Sequence, residues 1–551
     1  MAGGKRKPII LMMYKMLFVA AFVAWVVFAF KRCFPYPLFY DFSSPAPVSF
    51  QSHDGYIDAL KKYREQRVKQ KQKEQFWQDV KGFFFNTGEL WYDTGTPAVL
   101  VSDIGYGNYT NIQLDKANEC AAIKNDGKYL YILSDHPSIK LDVYPHILLD
   151  GAVVVVDAYP PGEMEVVSKI WLTAGKSGET YKKYVGLYIS GQNLVVLSEE
   201  YDYHNYYSRV TRADIYDMTD KNKPVHKRTL ELDGMLVNSC EKDGILYLFT
   251  SKNIWLRYYG FYHRDTFQPP EITDPDRYIP YCSDTGHGGK QYVSADHIYT
   301  SLPKVTKNNY FMEVSAINMA AIDLGGNMPA EVSAYVYIGS DLQLYMKAES
   351  IYFMQEKREN EIYYTGIVRF GIDKAGIQYA ASIKVPGQMH DRFWADEYNG
   401  NLRIATILYD KVNHLFVLDE NLNFMSHIRY TTAGERNVSV CFDGEMVYAA
   451  PLFVFDLSDP RSPEIKADSL AAYNREINKR ALIMSYDDNG NLKMVQAFAD
   501  GVDRYNNIFA MDRVTCIENI LYRFDDETLT AYDMNVKDGY DFKKICSVDY
   551  N

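Results

Sequence analysis

A short pattern recurs about every fifty residues from Asp126 to the C-terminal region of the sequence. In each copy, a turn that is usually marked by Gly or Asn leads into a strand of aromatic and β-branched residues. The turn residues are Gly127, Gly191, Gly244, His297, Ser350, Gly400 and Gly444. The steps between them are 64, 53, 53, 53, 50 and 44 residues. A repeat of this length, with several strands in each unit, is typical of a β-propeller. The sequence therefore predicts an all-β fold of the β-propeller class.

Most units continue into a second strand that ends in a polar turn, as at residues 153–157 and 452–460. A third strand follows, and with the strand before the turn it completes the four antiparallel strands of a blade. After Gly444 the pattern blurs into a hairpin at residues 482–498 and further strands within 514–533. These could build one more blade, closed by a strand from before Asp126. We expect a propeller over residues 91–551 with eight blades, and seven blades as the alternative.

Composition and charge limit the possible ligands of this body. The chain has 47 Tyr and 28 Phe, which suit the half-buried surfaces of β-sheets. Residues 1–32 contain six of the 59 basic residues and no acidic residue, which leaves 53 basic against 71 acidic residues in the remainder. The remainder therefore has a formal charge of −18, and we expect no nucleic-acid partner. The seven cysteines form no CxxC motif, so a zinc site is not predicted.

Residues 9–30 are apolar apart from Lys15. Twenty-two helical residues extend about 33 Å, which is enough to cross a hydrocarbon core of about 30 Å. Basic residues are more numerous before this segment than immediately after it, so the positive-inside rule places the N-terminus in the cytoplasm. A cleaved signal peptide is the alternative, but no small-x-small cleavage site follows. Residues 1–32 are therefore predicted to be a cytoplasmic tail and a single-pass signal-anchor in the cell membrane.

Residues 33–90 are predicted to separate this anchor from the propeller. Residues 34–52 contain four prolines and indicate an extended spacer. Residues 54–81 are rich in Lys, Gln, Glu and Arg and predict a helix. We interpret this helix as a solvated stalk, with a short coiled coil or a position near anionic headgroups as alternatives.

Three segments resemble a family of secreted bacterial and archaeal proteins with a C-terminal β-propeller that is distantly related to WD-repeat propellers. They are residues 110–131, residues 385–406 and residues 434–460, with Pro-Leu-Phe-Val-Phe-Asp-Leu-Ser-Asp-Pro at 451–460. Two features depart from the family. The acidic run Val-Asp-Glu-Ala-Asp is replaced at residues 115–122 by Asp-Lys-Ala-Asn-Glu-Cys-Ala-Ala, and the connection between residues 448 and 451 is shortened. The resemblance implies a propeller fold and export, and it implies no activity.

No HExxH, GxSxG or P-loop motif occurs, so no catalytic residue, metal ligand or cofactor is predicted. His287 and His297 could share a site with Asp284 or Asp296, although an ordinary polar role in a loop is the simpler interpretation. Arg403 lies in a strand that could line the central channel, and it is also placed to form a cross-strand ion pair with Glu397.

Two aromatic loops provide the clearest indication of binding. Their candidate residues are Tyr203, His204 and Tyr206 in the first loop, and Tyr259 and Tyr262 in the second. Such loops can stack on sugars or anchor protein partners. The second lies within residues 252–292, which we expect to form a long loop over a binding face.

These features favour a membrane-anchored extracytoplasmic module that binds or scaffolds an envelope protein or glycan. The alternative is a propeller-type hydrolase or lyase that acts on cell-envelope polymers. Propeller enzymes can assemble their sites from single residues on several blades, which no sequence motif would reveal.

Overall fold

A computed structural model describes residues 42–85 and 110–549, apart from internal segments of which the longest are 136–150, 173–179, 256–271, 431–439, 467–480 and 499–513. The predicted anchor, residues 9–30, lies outside the described residues. No helix within the described part of the chain is long and apolar enough to span a membrane.

The described residues form one long helix, α1 (His53–Phe85), and a series of β-strands. The first strands are β1 (Thr110–Ile112), β2 (Asn118–Glu119), β3 (Ile123–Asn125), β4 (Tyr129–Asp135), β5 (Gly151–Asp157), β6 (Glu165–Leu172), β7 (Thr180–Ser190), β8 (Asn193–Asp202), β9 (Asn205–Asp217), β10 (Val225–Asp233), β11 (Met235–Lys242), β12 (Ile245–Trp255), β13 (Tyr281–Asp284), β14 (Gly289–Tyr292), β15 (Ile298–Thr300), β16 (Val314–Asp323) and β17 (Glu331–Ile338). The following strands are β18 (Leu342–Lys347), β19 (Ser350–Glu359), β20 (Ile362–Asp373), β21 (Gly376–Pro386), β22 (Ala395–Tyr398), β23 (Asn401–Leu408), β24 (Val412–Leu418), β25 (Phe424–Tyr430), β26 (Val440–Asp443), β27 (Met446–Ala449), β28 (Phe453–Asp456), β29 (Glu464–Lys466), β30 (Ala481–Tyr486), β31 (Leu492–Phe498), β32 (Val514–Ile517), β33 (Ile520–Phe524), β34 (Thr528–Asp538) and β35 (Asp541–Asp549).

These strands form eight sheets in the described part of the chain, which we number in chain order. The sheets are sheet 1 (β3–β6), sheet 2 (β7–β10 with β13 and β14), sheet 3 (β11, β12, β16 and β17 with β2 and β15), sheet 4 (β18–β21 with β1), sheet 5 (β22–β25), sheet 6 (β26–β29), sheet 7 (β30 and β31) and sheet 8 (β32–β35). In six of them, four consecutive strands pair in antiparallel order, and in sheet 3 the four antiparallel strands are β11, β12, β16 and β17. This all-β arrangement of consecutive antiparallel sheets confirms the predicted fold class.

Sheets 1 to 6 pack face to face on one another in sequence order. Apolar clusters join sheet 1 to sheet 2, sheet 2 to sheet 3, sheet 3 to sheet 4, and sheets 4, 5 and 6 together. A further cluster joins sheet 1 to sheet 8, where Leu130 and Val156 pack with Tyr522 and Leu529. The Tyr522 hydroxyl also donates a 2.8 Å hydrogen bond to the Ala158 carbonyl. The last sheet therefore closes on the first, as the ring of a propeller requires.

The turn pattern correctly locates most of the hairpins between the first two strands of a sheet. Gly244 and Gly400 have φ values of 81° and 75°, which glycine adopts without a steric cost. His297 is the exception, because residues 298–300 form β15 and pair in parallel with β17 at the outer edge of sheet 3. The prediction that His297 marks a separate repeat was wrong, because residues 256–313 are inserted between β12 and β16, which belong to the same sheet.

The same insertion corrects the expectation of a single long loop over residues 252–292. Residues 252–255 complete β12, and β13 and β14 form a hairpin that extends the outer edge of sheet 2. The predicted hairpin at residues 482–498 is confirmed by the antiparallel pairing of β30 with β31.

Residues 110–112 and 118–121 lie on the inner side of the ring. The strand β1 pairs in parallel with β18, β2 pairs with β11, and Ala121 forms a bridge with Leu187 of β7. The inner side is identified by β3, which lies against both β7 and β32. The prediction that a strand from before Asp126 completes the last blade is wrong, because all four strands of sheet 8 come from residues 514–549.

The helix α1 confirms the helix predicted at residues 54–81, but its first half is not a solvated stalk. Tyr56, Leu60, Tyr63 and Arg67 recur at helical spacing and are all at most 4% exposed. The Tyr56 hydroxyl donates to the carbonyl of Tyr278 at 3.1 Å. This face packs on the outer side of sheet 3, in a cluster with residues of β15, β16 and β17.

The extended segment before α1 also packs on the outer side of the ring. Phe42 contacts Phe416 and Phe424 of sheet 5, with ring centroids 6.2 and 5.2 Å apart. The backbone of Val48 pairs with Thr300 of sheet 3. The predicted extended spacer is thus attached to the sheets along residues 42–48.

The four cysteines whose side chains the structure describes form no disulfide with one another: Cys120, Cys240, Cys282 and Cys546.

Candidate functional site

A cavity of about 330 Å³ lies on the outer side of the ring, where sheets 2, 3 and 4 meet. Its walls come from the β13–β14 hairpin, the turn before β15, the start of β17 and the start of β21. The polar and aromatic side chains in these walls are Asp284, His287, Gln291, Tyr292, Ser294, His297, Glu331 and Ser333. The insertion between β12 and β16 therefore supplies much of a concave surface, which is the kind of surface that binds small ligands.

A buried ion pair supports one wall of this cavity. The Nε and NH2 atoms of Arg228 donate to the two carboxylate oxygens of Asp284, at 2.8 and 2.5 Å. Burial alone would raise the pKa of Asp284, but hydrogen bonds from Arg228 and the backbone of Gly286 outweigh burial and hold this pKa below its ordinary value. Asp284 is therefore ionised at neutral pH at the base of the hairpin.

Asp284 orients His287. The Nδ1 atom of His287 lies 3.2 Å from the Asp284 carboxylate, and as a donor there it leaves Nε2 for another partner. The turn can approach Arg228 this closely because residue 286 is a glycine and has no side chain. A Cβ atom on Gly286 would lie only 3.2 Å from the Arg228 Nε. The sequence Asp-Thr-Gly-His thus forms a tight support for one imidazole ring.

Two further polar groups line the cavity. His297 ends the short 3-10 turn Ala295–His297, and Glu331 begins β17. Within the described residues, neither the His297 ring nor the Glu331 carboxylate forms a hydrogen bond. Together with His287, they provide convergent polar groups for a ligand.

The hydroxyl and thiol groups of the lining are not arranged as nucleophiles. The Ser333 hydroxyl donates to the Ile377 carbonyl at 2.6 Å, and the Ser294 hydroxyl donates to Asp296 at 2.5 Å. Burial raises the pKa of the Cys282 thiol to about 12. Among the described lining residues, therefore, no hydroxyl or thiol is hydrogen-bonded to an imidazole, which is the usual base of a nucleophile in covalent catalysis.

A metal site has no support in the described residues, where no group of three or more His, Cys, Asp and Glu side chains could hold an ion. The chemistry of the cavity is that of hydrogen bonding and aromatic contact.

The structure brings together His287, His297 and Asp284, as one sequence interpretation allowed, whereas Asp296 pairs with Ser294. Arg228 and Glu331 were not predicted. They lie 56 residues before and 47 residues after Asp284, and no local sequence signal connects them.

The Arg403 side chain is buried and connects sheet 5 to sheet 6. Its guanidinium pairs with Asp396, which lies directly opposite in the register of β22 and β23. It also donates to the Gly444 carbonyl at 2.6 Å and is 3% exposed. The expected pairing with Glu397 is wrong, because the Glu397 carboxylate accepts a hydrogen bond from the Tyr352 hydroxyl.

The other predicted binding residues cannot be placed in a site. Tyr203, His204, Tyr259 and Tyr262 lie outside the described residues, and for Tyr206 only the backbone, in β9, is described. Their proposed role in binding stays a prediction.

Comparisons with known proteins identify the fold and little beyond it. The model of the beta propeller domain family matches residues 108–468. An uncharacterized protein of Archaeoglobus fulgidus is 25% identical over 468 residues, covering 73% of this chain and 70% of that protein. An uncharacterized protein of Methanocaldococcus jannaschii is 26% identical over 374 residues, covering 56% of this chain and 58% of that protein. This chain thus spans less than two thirds of the second relative.

Two solved structures show weak similarity. An uncharacterized protein of Listeria monocytogenes has a TM-score of 0.21 and 8% identity, and the alignment covers 66% of this chain and 98% of that chain. A post-proline cleaving enzyme from Rickettsia typhi has a TM-score of 0.22 and 9% identity, with coverage of 88% and 64%. At these TM-scores, neither structure carries an argument about activity.

Proposed function

This chain belongs to the beta propeller domain family, and we propose that it is a membrane-anchored, extracytoplasmic module that binds a cell-envelope glycan in its outer cavity. The observation that carries this proposal is the convergence of His287, His297 and Glu331 on one cavity beside the ring of Tyr292. Sugar hydroxyls both donate and accept hydrogen bonds, so they match imidazole and carboxylate partners.

The cavity also has a suitable size and an aromatic surface. Its volume of about 330 Å³ is at the lower end of the range for ligand pockets, which suits roughly one or two sugar rings. Tyr292 is 36% exposed and provides an apolar face for stacking. A hydrolase or lyase would need an activated nucleophile or a carboxylic acid with a raised pKa, and the pKa of Asp284 is lowered instead.

Membrane attachment is proposed from the sequence, with residues 9–30 as the span, the N-terminus in the cytoplasm and the propeller outside. The net negative charge of the exported part is consistent with a neutral ligand and with the absence of a nucleic-acid partner.

The proposal is tested with the full-length protein in detergent on an array of neutral oligosaccharides. We expect binding that falls at least tenfold in His297→Ala and in Glu331→Gln, because each removes a hydrogen-bonding group from the cavity. Trp171→Ala is the matched control, since Trp171 is 63% exposed on sheet 1 and lies outside the cavity.

Absence of binding to any glycan on the array, or binding that neither cavity variant weakens, would contradict the assignment. Capture of an envelope protein that depends on His297 and Glu331 would replace the glycan by a protein ligand at the same cavity.

A further inference from the structure

The helix α1 has two faces with different surroundings. Tyr56, Leu60, Tyr63 and Arg67 are buried against sheet 3. At about 100° per residue, Lys69, Lys73 and Phe76 lie about 110–170° around the helix axis from the centre of this buried stripe. All three of these side chains are exposed. The helix is therefore fixed along one face and presents a basic and aromatic surface on the other.

The exposed surface ends in two large aromatic side chains. Phe76 is 60% exposed and Trp77 is 51% exposed, and their ring centroids are 5.6 Å apart. In the sequence, residues 80, 83 and 84 are also apolar, and they continue the helical spacing. Large aromatic residues that remain in water on a folded protein mark a contact surface.

The charge of this part of the helix selects the partner. Residues 61–81 contain eight basic residues and three acidic residues, a formal charge of +5, whereas the chain from residue 33 onward carries −18. A basic helix with Trp and Phe at its end has the composition of a segment that lies at an anionic membrane surface. The same chain also contains the apolar segment 9–30.

We propose that the distal end of α1, with Phe76 and Trp77 inserted and Lys69 and Lys73 near the headgroups, docks on an anionic lipid bilayer. This inference rests on the proposed membrane attachment and adds a second contact to it. Near its start, α1 contacts the cavity wall, because the Nε2 atom of His53 donates to the Val293 carbonyl at 2.8 Å. The 24 helical steps from His53 to Trp77 span about 36 Å, so the helix would hold the cavity at about this distance from the bilayer.

The test uses the full-length protein reconstituted into phosphatidylcholine vesicles with and without phosphatidylglycerol. Phosphatidylcholine that is brominated near the headgroup quenches the emission of tryptophans at the bilayer surface. The chain has six tryptophans, of which Trp25 lies in the predicted span and Trp77 at the proposed contact. In anionic vesicles, we expect Trp77→Phe to lower the quenched emission by roughly half, since one of two bilayer tryptophans is removed.

Trp171→Phe is the matched control, because Trp171 is exposed on sheet 1, and it should leave the quenched emission unchanged. Lys69→Glu/Lys73→Glu should reduce the quenching of Trp77 by the brominated lipid in anionic vesicles and should have no effect in phosphatidylcholine alone. An effect of the same size in both kinds of vesicle would overturn the electrostatic part of the proposal.

Failure of the docking and failure of the anchor give different results. Release of the protein from vesicles by alkaline carbonate would contradict the anchor itself. Retention of the protein with no difference between Trp77→Phe and the wild type would overturn only the docking of α1. That result would also be obtained if Phe76 and Trp77 packed against a second copy of the chain.

Discussion

The stability of sheet 5 should depend on pH through two stacked histidines. His414 of β24 is fully buried, and its Nδ1 atom lies 2.7 Å from the Nε2 atom of His427 in β25. The two rings stack at 4.9 Å, and Phe416 stacks on His427 at 4.6 Å. Burial, followed by the charges of His427 and Arg429, lowers the pKa of His414 to about 3. Burial, followed by the charge of Arg429, lowers the pKa of His427 to about 4.

These pKa values determine the direction of the effect. Below the unfolded pKa of 6.5, the unfolded chain binds a proton on each histidine while the folded protein keeps both rings neutral. Stability is therefore complete above pH 6.5 and is lost as the pH falls toward the two folded pKa values. Between about pH 7.5 and about pH 5, each histidine should lower the free energy of unfolding by about 2 kcal/mol, and the pair by about 4 kcal/mol.

The double variant His414→Phe/His427→Phe keeps the aromatic stack and removes both titrating groups. Its free energy of unfolding should lose about 4 kcal/mol of pH dependence over this range relative to the wild type. Urea denaturation of the full-length protein in a nonionic detergent measures this quantity. Phe416→Leu is the control, because it disturbs the same stack, should lower stability at every pH and should keep the wild-type pH dependence. Equal pH dependence in the wild type and the double variant would refute the reasoning.

Two other predictions concern the cavity wall and the topology. Arg228→Met leaves the buried Asp284 carboxylate without its cation and should lower the free energy of unfolding by about 3–5 kcal/mol. By contrast, Arg212→Met on the same sheet removes ion pairs with Glu200 and Glu231, whose side chains are 28–30% exposed, and a long contact with Asp214, and it should cost less than about 1 kcal/mol. Similar losses in the two variants, measured by urea denaturation, would contradict the buried role of Arg228. Protease added to intact cells should digest the propeller, as followed by immunoblot, whereas full protection would contradict the outside location.

The repeat was predictable because it depends on local chemistry. Hairpin turns with Gly at positive φ recur between the first two strands of a sheet, and residues such as Gly244 and Gly400 identify them directly. The false repeat at His297 arose because the sequence from Gly244 to Ser350 contains a single sheet with an insertion. Its length happens to equal two ordinary repeats. Periodicity alone cannot distinguish these two cases.

The contacts of α1 and of the cavity were less predictable, for two reasons. The buried stripe of α1 consists largely of Tyr and Arg. These side chains bury their apolar parts but carry polar ends, so a search for periodic hydrophobic residues does not detect them. The cavity joins residues from three sheets, so that His287 of sheet 2 and Glu331 of sheet 3 line one cavity only when these sheets pack together. A register offset of one residue was enough to exchange Asp396 for Glu397 as the partner of Arg403.

The insertion between β12 and β16 combines both proposed functions in one segment. Val293 lines the cavity, and its carbonyl also accepts the hydrogen bond from His53 at the start of α1. The ring of Tyr292, which we propose as the stacking surface, lies 6.4 Å from the ring of His53. A substitution of Tyr292 would therefore alter the ligand site and the contact with His53 of α1 together. His297 and Glu331 line the cavity, and no contact with α1 is described for their side chains, so substitutions there separate loss of the ligand from loss of the helix contact.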